Sequence, residues 1–279
     1  MRRGTNIRKR KRIISRNINT KSLKLLTLLI VFLVITIFIY IFFLRNTLIN
    51  KNFTEENLDF SILNENIPFS LRKIILFSSV TATGNNVNHS VLSLDISQYC
   101  DIGIYINNND NENTCIKSLY IDNIVISSPE LGTPCLYKKV VSDLGKCSFV
   151  EDSIINDRFD FNVISKDSQI NYTNYEIFND ASTPISLGFY NKNIKENFLT
   201  DNTEILYNGT LLKDALISTN SLNCNISFTI NIITTSDEQY LCNINFDVPI
   251  EENGESLYDI GHITKQISNE GMYRFIRIK

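Results

Sequence analysis

The stretch CNISFTINIITTSDEQYLCNINFDV, residues 224–248, decides the fold class. Apolar residues occupy every second position from Cys224 to Ile232, and again from Cys242 to Val248. When apolar residues recur at every second position, alternate side chains point to opposite faces of a β-strand. Because the polar residues 234–238 separate the two runs, the stretch predicts two antiparallel strands, each with one buried face.

The same alternation recurs earlier in the chain. It places two sets of side chains on single strand faces, namely Leu92, Leu94 and Ile96, and then Cys100, Ile102, Ile104 and Ile106. No long stretch after residue 70 has a helical period, although residues 209–220 fit a short helix. The chain is therefore predicted to be mainly β, with residues 70–279 forming an antiparallel β-sandwich or jelly-roll ectodomain.

An uncharged apolar run extends from Leu25 to Leu44, interrupted only by Thr27 and Thr36. Its length corresponds to a helix of about 30 Å, which matches the hydrocarbon layer of a bilayer. A cleavable signal peptide would have a shorter apolar region ending in small residues, whereas this run ends in Phe42, Phe43 and Leu44. The run therefore predicts one retained transmembrane helix that contacts the lipid bilayer.

Charge is divided unevenly along the chain. Residues 1–54 contain twelve Lys or Arg and no acidic residue, whereas the remainder contains fifteen basic and thirty acidic residues. The positive-inside rule predicts that the basic tail, residues 1–24, lies in the cytoplasm. Residues 45–69 then form a juxtamembrane linker, and residues 70–279 lie outside the cell membrane. The acidic ectodomain argues against a nucleic-acid partner.

Two segments at a constant offset of 70 are alike. Residues 118–124 and 188–194 share Tyr, Asn and Ile at three matching positions. A duplicated β module would make the ectodomain two related halves. Similar Asn-rich hairpins in a chain rich in Asn and Ile would also explain the likeness.

Six cysteines follow the predicted membrane segment: Cys100, Cys115, Cys135, Cys147, Cys224 and Cys242. An even number in an exported domain predicts up to three disulfides, with buried free thiols as the alternative. Neighbours in sequence pair most simply, and Cys224 and Cys242 fall on the inward faces of adjacent predicted strands. The connectivity stays open, and the spacing does not fit a zinc site.

Catalytic and metal-binding motifs are not evident. The two histidines, His89 and His262, lie too far apart in sequence for a zinc-hydrolase motif, and the chain lacks Gly-x-Ser-x-Gly and phosphate-loop sequences. A sortase-like cysteine motif is also missing. Residues 107–113 contain two acids and no glycine, which favours a solvated hairpin over a calcium loop. We therefore predict no catalytic, cofactor-binding or metal-binding residues and no cofactor.

The stretch LDISQYCDIGIYI, residues 94–106, is followed by residues 116–124 and by Gly132-Thr133-Pro134. In these segments the chain resembles uncharacterised single-pass membrane proteins of AT-rich Gram-positive bacteria. The resemblance implies a bacterial cell-surface setting and carries no catalytic residues.

These observations predict a membrane-anchored, non-enzymatic protein with a binding or scaffolding role toward an unknown surface or wall partner. The first alternative is a self-assembling subunit of a surface fibre or envelope complex, in which strand edges pair between copies. A wall-associated enzyme is the third hypothesis.

Overall fold

The computed structural model describes residues 67–88, 91–109, 114–206, 209–268 and 271–278. The basic tail, the segment from Leu25 to Leu44 and nearly all of the linker lie outside these residues, as does His89. Within the described ranges, no helix is long and apolar enough to cross a membrane.

The described residues form thirteen strands, most of them in two large sheets. The five-stranded sheet has the spatial order β12 (His262–Ser268), β1 (Phe69–Asn88), β2 (Val91–Asn108), β7 (Ile185–Thr200) and β4 (Thr133–Lys138). The six-stranded sheet has the order β13 (Ile276–Arg277), β9 (Gln239–Asp247), β8 (Asn225–Thr234), β3 (Ile116–Ile126), β5 (Phe159–Ile164) and β6 (Glu176–Phe178).

The remaining elements are short. A two-stranded pair joins β10 (Glu251–Glu252) to β11 (Glu255–Ser256). The one-turn α-helices are Leu211–Asp214 and Leu257–Ile260, and the 3-10 turns are Val141–Asp143, Glu151–Ser153, Tyr172–Asn174, Thr203–Leu206 and Thr219–Leu222. The mainly β prediction is confirmed, and every strand pairing in the described residues is antiparallel except that of β5 with β6.

The two large sheets share one hydrophobic core. The five-stranded sheet contributes inward side chains such as Ile74, Ile102 and Leu187, and the six-stranded sheet contributes Leu119 and Ile230. Each of these five residues is at most 1% exposed. Strands with one apolar face become stable by burying that face against another layer, which is the arrangement that the alternation in residues 224–248 predicts.

Strands β1, β2 and β7 extend past the shared core and carry a second one. Leu94 and Ile96 of β2 pack there with Leu212, Leu222 and Leu257 from the segments that contain the short helices. The helix Leu211–Asp214 begins inside the stretch that the sequence identifies as a short helix, and it buries Leu211 and Leu212. The long strands therefore connect two cores within one sheet.

The two similar segments lie in different sheets, one in β3 and the other in β7. The matching residues Asn123 and Asn193 both have positive φ, 52° and 59°. In both strands the pairing register shifts near that asparagine. Asn tolerates the left-handed conformation that such bulges use. The likeness therefore has a local cause, and duplication of whole halves stays a prediction.

Gly188 leaves the space that a buried tyrosine needs. It pairs with Asp101 of β2 on one side and with Tyr137 of β4 on the other. A Cβ at Gly188 would lie 2.1 Å from the Tyr137 ring, whereas one at Gly103 would have its nearest neighbour at 3.5 Å. We expect Gly188→Ala to lower the free energy of unfolding by about 1–3 kcal/mol because the ring must move.

Gly103→Ala is the matched control, since Gly103 also lies in a central strand of the same sheet. Its effect on unfolding by denaturant should stay within about 0.5 kcal/mol. Equal losses for the two variants would contradict the packing of Tyr137 over Gly188.

Candidate functional site

The outer side of the six-stranded sheet carries a polar surface, which we call the amide face. Its side chains alternate along β3, β8 and β9 with the inward residues of the core. Asn243, Asn245 and Asp247 are exposed. The amide face consists of Tyr120, Asp122, Asn225, Ser227, Thr229, Asn231, Asn243, Asn245 and Asp247.

Hydrogen bonds connect the amide face across its strands. The Asn225 side-chain amide donates to Asn245 Oδ1 at 2.8 Å and to Asp247 Oδ1 at 2.9 Å. Asn231 Nδ2 donates to Asp122 Oδ1 at 2.9 Å. These bonds hold several carboxylates and amides in fixed orientations, while the exposed ones keep free hydrogen-bonding capacity toward solvent.

An arginine and a tyrosine lie at the β5 side of the amide face. The Arg158 guanidinium lies 3.5 Å from the centre of the Tyr120 ring, within cation–π range. Arg158 Nε donates to Asp160 Oδ2 at 2.9 Å, and this bond lowers the pKa of that carboxyl below its ordinary value. The surface thus combines a stacked ring, amides and carboxylates, which suits a ligand that is rich in hydroxyl or amide groups.

Over β2, β7 and β4, the outer side of the five-stranded sheet is covered by the chain itself. We call residues 139–150 the cover segment. Phe149 of this segment stacks on Tyr190 with ring centres 4.4 Å apart and contacts Tyr137 edge-on at 5.3 Å. Tyr99 of β2 donates a hydrogen bond to the carbonyl of Gly145 at 3.3 Å. These contacts explain why Tyr99 and Tyr137 are buried although they point away from the shared core.

A buried ion pair lies beneath the cover segment. Lys139 Nζ is 2.7 Å from Asp101 Oδ1, and the two side chains are 0% and 3% exposed. The Gly145 N–H also donates to Asp101, and Lys139 donates to the carbonyl of Lys146. Asp101 is thereby held by a side chain and a backbone group from the cover segment, so the pair fastens that segment to the sheet.

Burial changes the acidity of the groups in this cluster. Desolvation is the largest cause of a raised pKa at Asp101, opposed by its hydrogen bonds to Lys139 and Gly145. Burial, with a smaller contribution from Asp101, raises the pKa of Tyr99 to about 12. The pKa of Tyr137 is also raised by burial, and its hydroxyl has no hydrogen-bond partner within the described part of the chain.

The six cysteines are free thiols in the structure. Cys224 and Cys242 do face inward. The register places Cys242 opposite Ile230. Cys224 lies six residues before Ile230, next to Asn225, which is opposite Asp247. Their separation along the hairpin is about 20 Å, far beyond the reach of a disulfide. The proposed pairing of these two neighbours therefore does not fit the hairpin, because alternation fixes the face but not the register.

Of the other two pairs of neighbouring cysteines, Cys100 and Cys115 lie apart along β2, whereas Cys135 and Cys147 lie on the same side of the sheet. Cys100 lies in the middle of β2, whereas Cys115 lies near the far end of that strand, where Asn108 donates to the Thr114 carbonyl at 2.6 Å. Cys135 and Cys147 lie on the same outer side of the five-stranded sheet, where Phe149 stacks on Tyr190, the strand partner of Cys135. Whether any disulfide forms stays a prediction, and of the three neighbour pairs this last one fits best.

The buried pair is a feature that the sequence analysis missed. One signal was present, because Asp101 is the single charged residue between Ile96 and Ile106 in an otherwise apolar and neutral stretch. Its partner gave no such signal, since Lys139 follows another lysine at the end of a short strand. Among the described residues, no group of three or more His, Cys, Asp or Glu side chains is placed to hold a metal ion.

Because of Tyr99, we expect the free energy of unfolding to depend on pH in the alkaline range. A tyrosine whose folded pKa is about 12 keeps its proton where the unfolded chain, with an ordinary value near 10, loses it. This contribution is complete below about pH 10 and is lost as the pH rises toward 12. Between about pH 10 and pH 12, the free energy of unfolding of Tyr99→Phe should therefore fall by roughly 2 kcal/mol less than that of the unmodified chain. Denaturant unfolding at each pH measures this difference.

Tyr172→Phe serves as the control because Tyr172 is 37% exposed. This variant should follow the pH dependence of the unmodified chain. Identical pH dependence for both variants would show that the Tyr99 hydroxyl is not buried beneath the cover segment.

The chain has no match among protein-family models, curated proteins or solved structures.

Proposed function

We propose that the chain is a single-pass membrane protein with a cytoplasmic N-terminus and an extracytoplasmic β-sandwich that binds or scaffolds a partner at the cell surface. The apolar run from Leu25 to Leu44 and the basic tail before it support the anchor and its orientation. The shared core of the two sheets supports the sandwich.

The observation that carries the binding role is the contrast between the two outer sides of the sheets. The cover segment closes the outer side of the five-stranded sheet over β2, β7 and β4, where even Asp101 and Lys139 are buried. The other side presents the amide face, with Asn243, Asn245 and Asp247 exposed. These amides and carboxylates are joined by hydrogen bonds between neighbouring strands. They are therefore preorganised and lose little side-chain entropy when they bind a partner.

The chemistry of the amide face indicates the class of ligand. Amides offer both donors and acceptors, and carboxylates offer acceptors. A wall polymer with hydroxyl and amide groups, such as a glycan strand, matches this combination. The face carries more acidic than basic side chains, which disfavours a strongly anionic partner.

Open strand edges would favour the self-assembling alternative, and the strands that lie wholly at a sheet edge are poor templates for it. The edge strands β6 and β13 have three and two residues. Tyr137 of the edge strand β4 is bridged by Ile154. β12, the longest strand that lies wholly at a sheet edge, carries Lys265, which lies 3.7 Å from Glu252. The exposed end of β1, residues 83–87, has no strand partner on its β12 side among the described residues. Short, covered or charged edges resist pairing between copies.

One labelling experiment tests both the location of the domain and the occupation of the amide face. Asn243→Cys and Val150→Cys are each made in a Cys147→Ser background and treated with a bulky, membrane-impermeant maleimide. Both positions are exposed in the structure, but only position 243 belongs to the amide face. Labelling is measured on intact cells and on the purified full-length chain, with the Cys147→Ser parent as background.

We expect the thiol at position 150 to react on intact cells and in the purified chain. The thiol at position 243 should react in the purified chain and be protected on cells, where the partner covers the face. No labelling of either position on intact cells would contradict an extracytoplasmic domain. Equal labelling of both positions in both preparations would contradict a bound partner on the amide face.

A further inference from the structure

Lys139 and Asp101 form an ion pair in which both side chains are buried. Asp101 comes from a central strand of the five-stranded sheet, whereas Lys139 follows the edge strand β4, with β7 between them. The Lys139 side chain crosses that distance to bring Nζ within 2.7 Å of Asp101 Oδ1. Nζ also lies 5.6 Å from the centre of the Tyr99 ring, and neither side chain has meaningful exposure.

Burial disfavours the charged form of Asp101 and raises the pKa of its carboxyl. Removing a carboxylate and an ammonium from water costs several kcal/mol for each ion, and mutual attraction only partly offsets that cost. Transfer of one proton from Nζ to the carboxylate leaves a neutral amine beside a neutral carboxylic acid. A neutral amine is a nucleophile, and the carbon of a protonated carboxyl is an electrophile that it can attack.

We propose that Lys139 and Asp101 condense to form an intramolecular isopeptide bond. The bond forms between Lys139 Nζ and Asp101 Cγ, and one Cγ–Oδ bond of the carboxyl breaks. The departing oxygen leaves with two protons from the original ammonium group as one water molecule. The product is a neutral amide, and neither oxidant, reductant nor co-reactant is consumed.

The cover segment supplies the groups that such a condensation needs. The Gly145 N–H donates to the carboxyl of Asp101, where negative charge develops on oxygen as the amine attacks. The Lys146 carbonyl accepts a hydrogen bond from Nζ and orients the amine. Held in contact, the two groups react as one molecule, which removes the entropic cost of bringing them together.

Tyr137 contributes to the aromatic cover over this part of the sheet. Its buried ring lies against Gly188, directly across the sheet from Asp101, and its hydroxyl has no hydrogen-bond partner among the described residues. The same aromatic cover excludes water, which would otherwise favour the free acid and amine.

The bond would close a covalent loop from β2 to the cover segment. It would prevent this segment from leaving the outer side of the sheet, whatever partner the amide face binds. A cross-link of this kind also restricts the unfolded chain, as a disulfide does, but it resists reducing agents.

The intact mass of the purified full-length chain under reducing conditions tests the bond directly. We expect a mass lower than that calculated from the sequence by one water molecule. A tryptic digest should contain one branched product, in which the peptide with Asp101 is joined to the peptide with Lys139. A chain of full calculated mass, with the two peptides separate, would overturn the proposal.

Variants distinguish this bond from water loss elsewhere in the chain. Lys139→Arg keeps the positive charge but lacks a primary amine, so it should have the full calculated mass. Lys146→Arg is the control, because Lys146 contributes only its backbone carbonyl, and it should keep the deficit. Asp101→Asn should lose ammonia in place of water when it condenses. A water deficit that persists in Lys139→Arg would overturn the assignment to this pair.

Discussion

The rest of the structure depends on the burial of strand β2 on both of its faces. Every residue from Ile96 to Ile104 is buried. Residues such as Ile102 contact the shared core, as alternation requires, but Tyr99 and Asp101 point to the opposite side. A sheet face with a buried carboxyl needs a partner for that charge and a cover over it.

The cover segment meets both needs, and the glycine in β7 makes room for it. Lys139 and the Gly145 N–H partner Asp101, while Tyr137 lies flat over Gly188. The chain thereby covers the outer side of β2, β7 and β4 with its own residues. The outer side of the other sheet keeps a polar surface, the amide face.

Alternation in the sequence predicted the strands and the faces that they bury. It was correct for residues 224–248, where β8 and β9 form the expected hairpin around a polar turn. It could not predict register, because shifting a strand by two residues keeps every side chain on the same face. Cys224 and Cys242 therefore share an inward face yet lie far apart along the hairpin.

The amide face and the buried ion pair were harder to predict, because alternation does not show which strands lie next to each other. The amide face was visible only as the polar half of the alternation, since its hydrogen bonds join residues that are distant in sequence, such as Asn231 and Asp122. The pairing of Asp101 with Lys139 depends on the order of strands in the sheet, which places β7 between β2 and β4. No local pattern contains that information.

A double-mutant cycle at Asp101 and Lys139 tests most directly whether the cover segment is fastened by this pair. Denaturant unfolding of the full-length chain would be compared for Asp101→Ala, Lys139→Met and the double variant. Each single change should cost about 3–5 kcal/mol, because it leaves the other group buried without its partner, and the double variant should lose much less than the sum. Small and additive losses would show that neither group is buried against the other and would contradict the account.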